Sequence, residues 1–268
     1  MKRKISLFLA IIMIISMFLC SCKPEKYVPV ERTDEEIYNT AMSYISQGNY
    51  ELAYGAFMSI KSYDKASEAL QYFQYLPGVI IEREPEDKDK KDLDVTTFTY
   101  DSVGNITLKN VTIASVSQGM ENFTYDAGLL KTSTLTDING KTTVSKYTFD
   151  GDGKLQDVFI TDPNENFIKK AYKYNENGKV ASETKTDIDG SIVTGVYKYG
   201  EDGKLVSKVL YKGPEGSTEM VMKYEYSYND QGLITKATKT VGGKVSTIEY
   251  GEYKLFYMPE YRDIMLYY

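Results

Sequence analysis

Histidine is absent from all 268 residues, tryptophan is absent too, and there are only two cysteines. No histidine means no imidazole base and none of the commonest zinc ligand. Serine–histidine and cysteine–histidine catalysis are therefore excluded. Both cysteines, Cys20 and Cys22, fall in the first 22 residues. The rest of the chain has no disulfide, no thiol nucleophile and no thiolate ligand. A long basic run is also missing, and the formal net charge is −6. A net-negative chain without a basic stripe is a poor nucleic-acid binder, so no nucleic-acid partner is expected. Glycine-rich phosphate loops of the Walker or Rossmann type are absent as well.

What is there begins with Lys2, Arg3 and Lys4, followed by an almost unbroken apolar run from Ile5 to Leu19. That run is short for a bilayer-spanning helix, which needs about 20 residues. It has the layout of a secretory leader. The next residues, Leu19-Cys20-Ser21-Cys22, resemble the bacterial lipobox. The resemblance implies cleavage before Cys22 and lipid attachment there, so the protein is expected outside the cytoplasm, held to the bacterial cell membrane. Losing the leader would take three of the 32 basic residues and none of the 38 acidic ones.

Residues 1–21 are thus the leader and 22–32, with two prolines, a tether. Thr33-Asp34-Glu35-Glu36 carries a helix start, a capping residue followed by acids in the first turn. Ile37, Ala41, Tyr44 and Ile45 then recur at helical spacing. Further runs follow through Tyr50, Ala53, Tyr54, Phe57 and Ile60, and through Tyr63, Ala66, Ala69, Leu70 and Phe73. The stretch "YISQGNYELAYGAFMSIKSYDKASEAL" resembles a tetratricopeptide helical pair, with Gly48 at the inter-helix turn. It covers about one and a half repeats, too few for a peptide-binding groove. A capping or spacer role is expected for residues 33–77, with Tyr44, Tyr54 and Phe57 in its core. Residues 78–97 include the charge run "EREPEDKDKKDLD" and read as a linker, with Val79-Ile80-Ile81 as a candidate short strand.

From Phe98 onward the chain repeats. Six places carry an aromatic-x-aromatic pair, a turn ending in glycine and an aliphatic residue: Phe98-x-Tyr100, Phe123-x-Tyr125, Tyr147-x-Phe149, Tyr172-x-Tyr174, Tyr197-x-Tyr199 and Tyr226-x-Tyr228. The closing glycines recur every 24 to 29 residues, a fixed period that marks a repeat architecture. Turns at Asp137–Gly140, Asp187–Gly190 and Pro214–Gly216 fall between them. Each unit is therefore a strand and a tight turn used twice. Asp or Asn opens the turn by bonding backbone amides, and glycine closes it in the left-handed conformation. Strands joined this way are antiparallel, which predicts a meander of roughly a dozen strands. Alternation places Tyr172, Tyr174, Tyr197 and Tyr199 on one face, with Leu205 and Val209 beside them. Lys173, Lys198, Lys204 and Lys208 are expected on the other face, and the tyrosine hydroxyls at the wet edge of the core.

"FTYDSVGNI", "YTFDGDGKL", "YKYNENGKV" and "YSYNDQGLI" resemble the YD repeats of the Rhs family. The resemblance implies strands that coil with the aromatic face inward. The fold class expected is α+β: a small helical hairpin or three-helix segment followed by a long antiparallel β-meander of YD-like repeats (98–252), as a curled sheet or open shell. Residues 253–268 form an aromatic tail, expected to cover the last strand or plug the aromatic face. Tyr257, Tyr261, Tyr267 and Tyr268 are its candidate partner contacts.

Candidate chemistry is sparse. Asp150-Gly151-Asp152-Gly153 lacks the third ligand of a calcium loop, and Asp187 with Asp189 are turn residues before they are a catalytic pair. No catalytic residue, cofactor or metal site is expected. The reading is a non-enzymatic, lipid-anchored scaffold, adhesion or binding protein with a protein or glycan ligand. Its alternatives are a carboxylate-dependent hydrolase or glycan-modifying enzyme, and an envelope assembly factor docking a partner on the helices.

Overall fold

The computed structural model of the protein describes residues 32–84 and 93–258. Three helices lead, α1 (Asp34–Ser46), α2 (Tyr50–Ser59) and α3 (Asp64–Leu70). Thr33 caps α1 in a capping box: its hydroxyl accepts from the Glu36 amide while the Glu36 carboxylate accepts from the Thr33 amide at 2.8 Å. Two orphan amides are satisfied at once. Gly48, at φ 73°, turns the chain into α2. Ala41, Ala53, Phe57, Ile60, Ala66 and Ala69 form the buried helical core, with Tyr38, Tyr44 and Phe73 packed on it. Small residues at the helix contacts let Phe57 be fully enclosed.

The strands are β1 (Phe73–Leu76), β2 (Val79–Arg83), β3 (Leu93–Tyr100), β4 (Ile106–Ile113), β5 (Val116–Asp126), β6 (Leu129–Asp137), β7 (Thr142–Phe149) and β8 (Leu155–Thr161). They continue as β9 (Phe167–Tyr174), β10 (Val180–Thr186), β11 (Ile192–Tyr199), β12 (Leu205–Lys212), β13 (Met220–Tyr228), β14 (Ile234–Val241), β15 (Lys244–Gly251) and β16 (Lys254–Tyr257). From β2 to β15 each strand pairs antiparallel with the next, and β15 pairs with β2, closing a 14-strand barrel. The sheet is therefore curled, as expected, but the curl is complete and the shell closed, not open. Closure removes both edges, which would otherwise template pairing with other chains. The seam is the Val79-Ile80-Ile81 stretch, hydrogen-bonded on both sides. Most described residues of 78–97 are thus barrel wall, not linker: β2 and the start of β3 lie there.

One rim carries the turns after β3, β5, β7, β9, β11 and β13. In the turn after β7, Asp150 Oδ1 accepts from the Asp152 and Lys154 amides at 3.0 and 2.9 Å, and Gly153 donates to the Asp150 carbonyl from φ 77°. The same bonds recur at Asp101, Asn175 and Asn229. A β-bulge follows each of these turns, for instance between Lys198 and Tyr199 against Leu205. Bulges stacked at one rim bend the sheet and help close it.

The bulge also shifts the pairing by one residue, which corrects two expected orientations. Lys208 pairs with Tyr197 and faces inward, with its Nζ 5.0 Å from the Tyr197 ring centroid. Val209 pairs with Val196 on the opposite face. Lys204 is no outward charge either: it sits 5.5 Å over the Tyr228 ring, as Lys154 and Lys179 sit over Tyr174 and Tyr199. Lys146, Lys173, Lys198 and Lys236 do face solvent.

The hydroxyl of the second tyrosine in a pair is spent on the backbone rather than left in water. Tyr125, Tyr174, Tyr199 and Tyr228 donate to the carbonyls of Ile106, Leu155, Val180 and Leu205, at 3.0, 2.8, 2.9 and 2.8 Å. Tyr253 donates to Ile234 and Tyr100 to Pro77, so the ring of bonds runs across the seam. Each repeat is latched to the one before it. Phe149 holds the equivalent place and has no hydroxyl to give the Leu130 carbonyl. The Phe149→Tyr variant should complete the ring and gain about 1 kcal/mol, a rise of roughly 2–4 °C in melting temperature for a domain this size. An unchanged or lower melting temperature would refute the latch.

Strands β1 and β16 form a separate two-stranded ribbon, Phe73 opposite Tyr257 and Leu76 opposite Lys254. The start of the aromatic tail therefore pairs with the end of the helical segment, not with β15. Leu76, Leu255, Phe256, Met258 and Tyr50 pack together, and Phe256 lies 5.4 Å from Tyr100. Tyr50 donates to the Ser102 carbonyl. Helices and ribbon thus pack on the rim that carries the YD turns, at the end of β3 and the turn after it. At Gly104 (φ 87°) a Cβ would stand 3.0 Å from the Phe256 ring, so glycine is needed there twice over, for conformation and for contact.

Candidate functional site

Following the pairing register round the barrel puts an inward set of charges at mid-height: Glu82 and Asp94, Lys109 and Glu121, Lys170 and Glu183, Lys208 and Lys239. Between this belt and the capped rim lie the aromatic and aliphatic residues, Leu155, Val158, Tyr172, Val180, Tyr197 and Leu205, with Tyr147, Tyr174, Tyr199 and Tyr226 against them. The expected apolar interior is real, but the lumen is half salt bridge.

Three groups make up the belt. Lys109 meets Glu121 at 3.4 Å; Ser133 donates to Glu121 at 2.6 Å and lies 3.1 Å from the Tyr147 hydroxyl. Lys208 meets Glu183 at 2.6 Å, and Tyr197 donates to the other Glu183 oxygen at 2.9 Å. Lys239 and Ser246 both bond Glu82 Oε1 at 2.8 Å. Gly195 pairs with Glu183 in the register; a Cβ there would lie 2.9 Å from Glu183 Cγ, so the missing side chain makes room for the carboxylate.

The lumen shifts its titratable groups in ways that follow from this wiring. Burial alone would push the Glu183 carboxyl up; the Lys208 ammonium and bond, Lys170 and the Tyr197 hydroxyl outweigh it and hold it below its ordinary value. Desolvation first, then the Glu183 charge and bond, pushes the Tyr197 hydroxyl far up. Desolvation, with neighbouring tyrosines, does the same to Tyr226 and Tyr250; desolvation and then the Asp202 charge push Tyr228 up to about 12. Burial and the nearby Glu82 raise Asp94. Desolvation, reinforced by Lys208, Lys185 and Lys109 and opposed by Glu183, lowers Lys170.

The turn acids do not gather. Asp101, Asp150 and Asp202 lie on the capped rim, and Asp137, Asp162, Asp187 and Asp189 on the far rim, each accepting from amides of its own turn. Among the described residues no group of three acids, cysteines or histidines could hold a metal ion. Tyr257 sits 5.1 Å from Phe73 and 5.8 Å from Tyr72, inside the ribbon's packing. Cys22, Tyr261, Tyr267 and Tyr268 lie outside the described residues. Sequence reading missed the belt. Part of the signal was present in Lys109, Glu183 and Lys208, which fall opposite Phe98, Tyr172 and Tyr197, the first aromatics of three of the six pairs, once the bulge is counted.

A closed ring of strand-and-turn repeats latched by tyrosine, with a polar belt inside, defines a YD-repeat β-protein. The family model described as teneurin YD-shell matches residues 29–253, and the chain belongs to that family. No curated protein matches the chain. Among solved structures, a porin-like protein from Bacteroides uniformis is similar at 13% identity over 65% of this chain and 97% of that chain, with a TM-score of 0.39. A porin-like protein from Bacteroides vulgatus is similar at 11% identity over the same shares, with a TM-score of 0.41. The structure titled TcdB2-TccC3-Cdc42 is similar at 16% identity over 58% of this chain and 10% of that chain, with a TM-score of 0.28. No helix of the described residues is long and apolar enough to cross a membrane, which says nothing of strands.

Proposed function

We propose that the protein is a lipid-anchored extracytoplasmic scaffold, tethered at Cys22, whose barrel acts as a non-catalytic adhesion or binding body for a protein or glycan. The observation that carries this reading is the use of the acids. Those on the rims are bonded to the amides of their own turns, and Glu82, Glu121 and Glu183 are bonded to lysines and hydroxyls. A glycosidase of the common kind needs two carboxylates facing one reacting bond, at most about 9.5 Å apart; Glu82 and Asp94 are neighbours on the lumen face, but Glu82 Oε1 is held by Lys239 and Ser246. The tetratricopeptide-like segment serves in this reading as a cap on the YD-turn rim. A second reading, partner docking on the helices, is favoured by exposed Leu52 and Met58 on α2.

The tether is tested by fractionation. The Cys22→Ser variant should move the protein from the membrane to the soluble extracytoplasmic fraction, whereas Cys20→Ser should leave it in place; an unmoved Cys22→Ser protein defeats the anchor. Crosslinked pull-down from intact cells, with the anchor kept, then tests the scaffold. Recovery of the same partner with wild-type protein and a Leu52→Glu, Met58→Glu variant assigns binding to the barrel. Loss of the partner with that variant assigns it to the helices.

A further inference from the structure

Pairing of β9 with β10 sets Lys170 directly opposite Lys185 on the lumen face. Like charges directly opposite in a sheet are destabilising, and partial burial enlarges the cost. The neighbouring cations have been given acids. Lys185 turns to Asp187 at 2.7 Å, and Lys208 is held by Glu183, whose second oxygen is taken by Tyr197. Lys170 forms no ion pair or hydrogen bond among the described residues. From β8 it faces only Val158, its register partner. From β10, Glu183 and Lys185 act on its ammonium, from β12 Lys208, and from β4 Lys109 across the lumen. Three lysines, 170, 185 and 208, thus share Glu183 and Asp187 on this side of the lumen, and the acid that would balance the third, Asp94, lies across the ring on β3 beside Glu82.

We propose that the lumen at Lys170 is a binding site for a small oxyanion, a phosphate or a carboxylate. Lys170 lies three residues into β9 from the far rim, roughly 10 Å deep at the rise of a strand. Lys185, its register partner and 39% exposed, stands beside it, one residue from the end of β10 at that rim. The helices are at the other end. An anion arriving from this rim is held between the Lys185 and Lys170 ammoniums. The bound charge replaces the missing counter-ion and relieves the Lys170–Lys185 repulsion. Affinity falls as pH rises, because Lys170 loses its proton earlier than an ordinary lysine. This site stands whether or not the anchor and scaffold readings hold.

The test is thermal melting of the full protein in inorganic phosphate against sodium chloride of equal ionic strength, repeated with acetate as the carboxylate probe. Wild-type protein should melt about 3 °C higher at ten times the dissociation constant, and Lys170→Arg should keep most of that response. Lys170→Met and Lys170→Gln should melt at one temperature in every salt. Lys198→Met, on the outer face, should respond as wild type does. No anion-specific shift in the wild-type protein, or a full shift in both Lys170→Met and Lys170→Gln, overturns the proposal. A shift with acetate but not phosphate assigns the site to carboxylates, and the reverse assigns it to phosphates.

Discussion

Raising the pH from about 10 to about 12 should unfold the barrel, well before exposed tyrosines alone would matter to stability. The lumen raises the hydroxyls of Tyr197, Tyr226 and Tyr250, first by desolvation and then by neighbouring negative or ionisable groups. In the unfolded chain these groups ionise near pH 10. Above that pH the unfolded state sheds protons that the folded state keeps. The stabilisation is therefore complete below about pH 10 and is lost as pH climbs toward the folded values. Each such tyrosine costs about 1.4 kcal/mol per pH unit, so the three together cost about 4 kcal/mol per unit. Two units remove about 8 kcal/mol, comparable with the whole stability of an ordinary domain. Lys170 works the other way, since its lowered value favours the folded state as pH rises toward the ordinary lysine range, but it is one group against three. Far-ultraviolet circular dichroism and tyrosinate absorbance should change together in one transition. Smooth ionisation of most rings near pH 10 with the sheet intact would mean that they are not enclosed.

Glu183→Gln should be the most damaging isosteric change in the lumen. Glu183 is the acid shared by Lys208 and Lys170, and the Glu183–Lys208 side chains are only 15% and 21% exposed. The amide keeps an acceptor for Tyr197 and fits the space opened by Gly195, so the variant removes charge and little else. Breaking a buried pair from one side leaves an uncompensated ion and costs about 3–5 kcal/mol. Denaturant unfolding should show that loss, and Glu183→Gln with Lys208→Met should recover more than half of it, because the stranded cation is gone. A loss of about 0.5 kcal/mol or less, the size of an exposed ion pair, would place Glu183 in water and dissolve the belt as a unit.

How far the molecule could be read from its sequence varies by element. The Asp150 and Asn175 turns were legible because a side chain that bonds amides two and four residues on, with glycine at the left-handed position, is a local device. The turn at Asp162 was not, since Glu165 fills that position at φ 63° in place of glycine. Asn166 compensates there by also bonding Asp162. The latches were not legible at all, and Tyr253 was missed even as a member of the repeat because it follows Tyr250 by three residues instead of two, although its hydroxyl finds Ile234 as the others find their carbonyls. Helix α1 was legible from its capping box, and the buried face of α2 from the spacing of Ala53 and Phe57.

Sequence by itself determined the local terms: where the chain bends, which residues alternate, and that the tyrosine side of the ribbon turns away from water. Those follow from backbone sterics and period-two geometry, which act over a few residues. Tertiary structure decided closure through Val79–Arg83, since two strands more than 160 residues apart in the chain pair only once the sheet has curved enough to bring them together. It also decided the charges in the lumen. A one-residue bulge reverses which of two neighbours points inward, and only the pairing of Tyr197 with Lys208 shows that the lysine, not the valine, went inside.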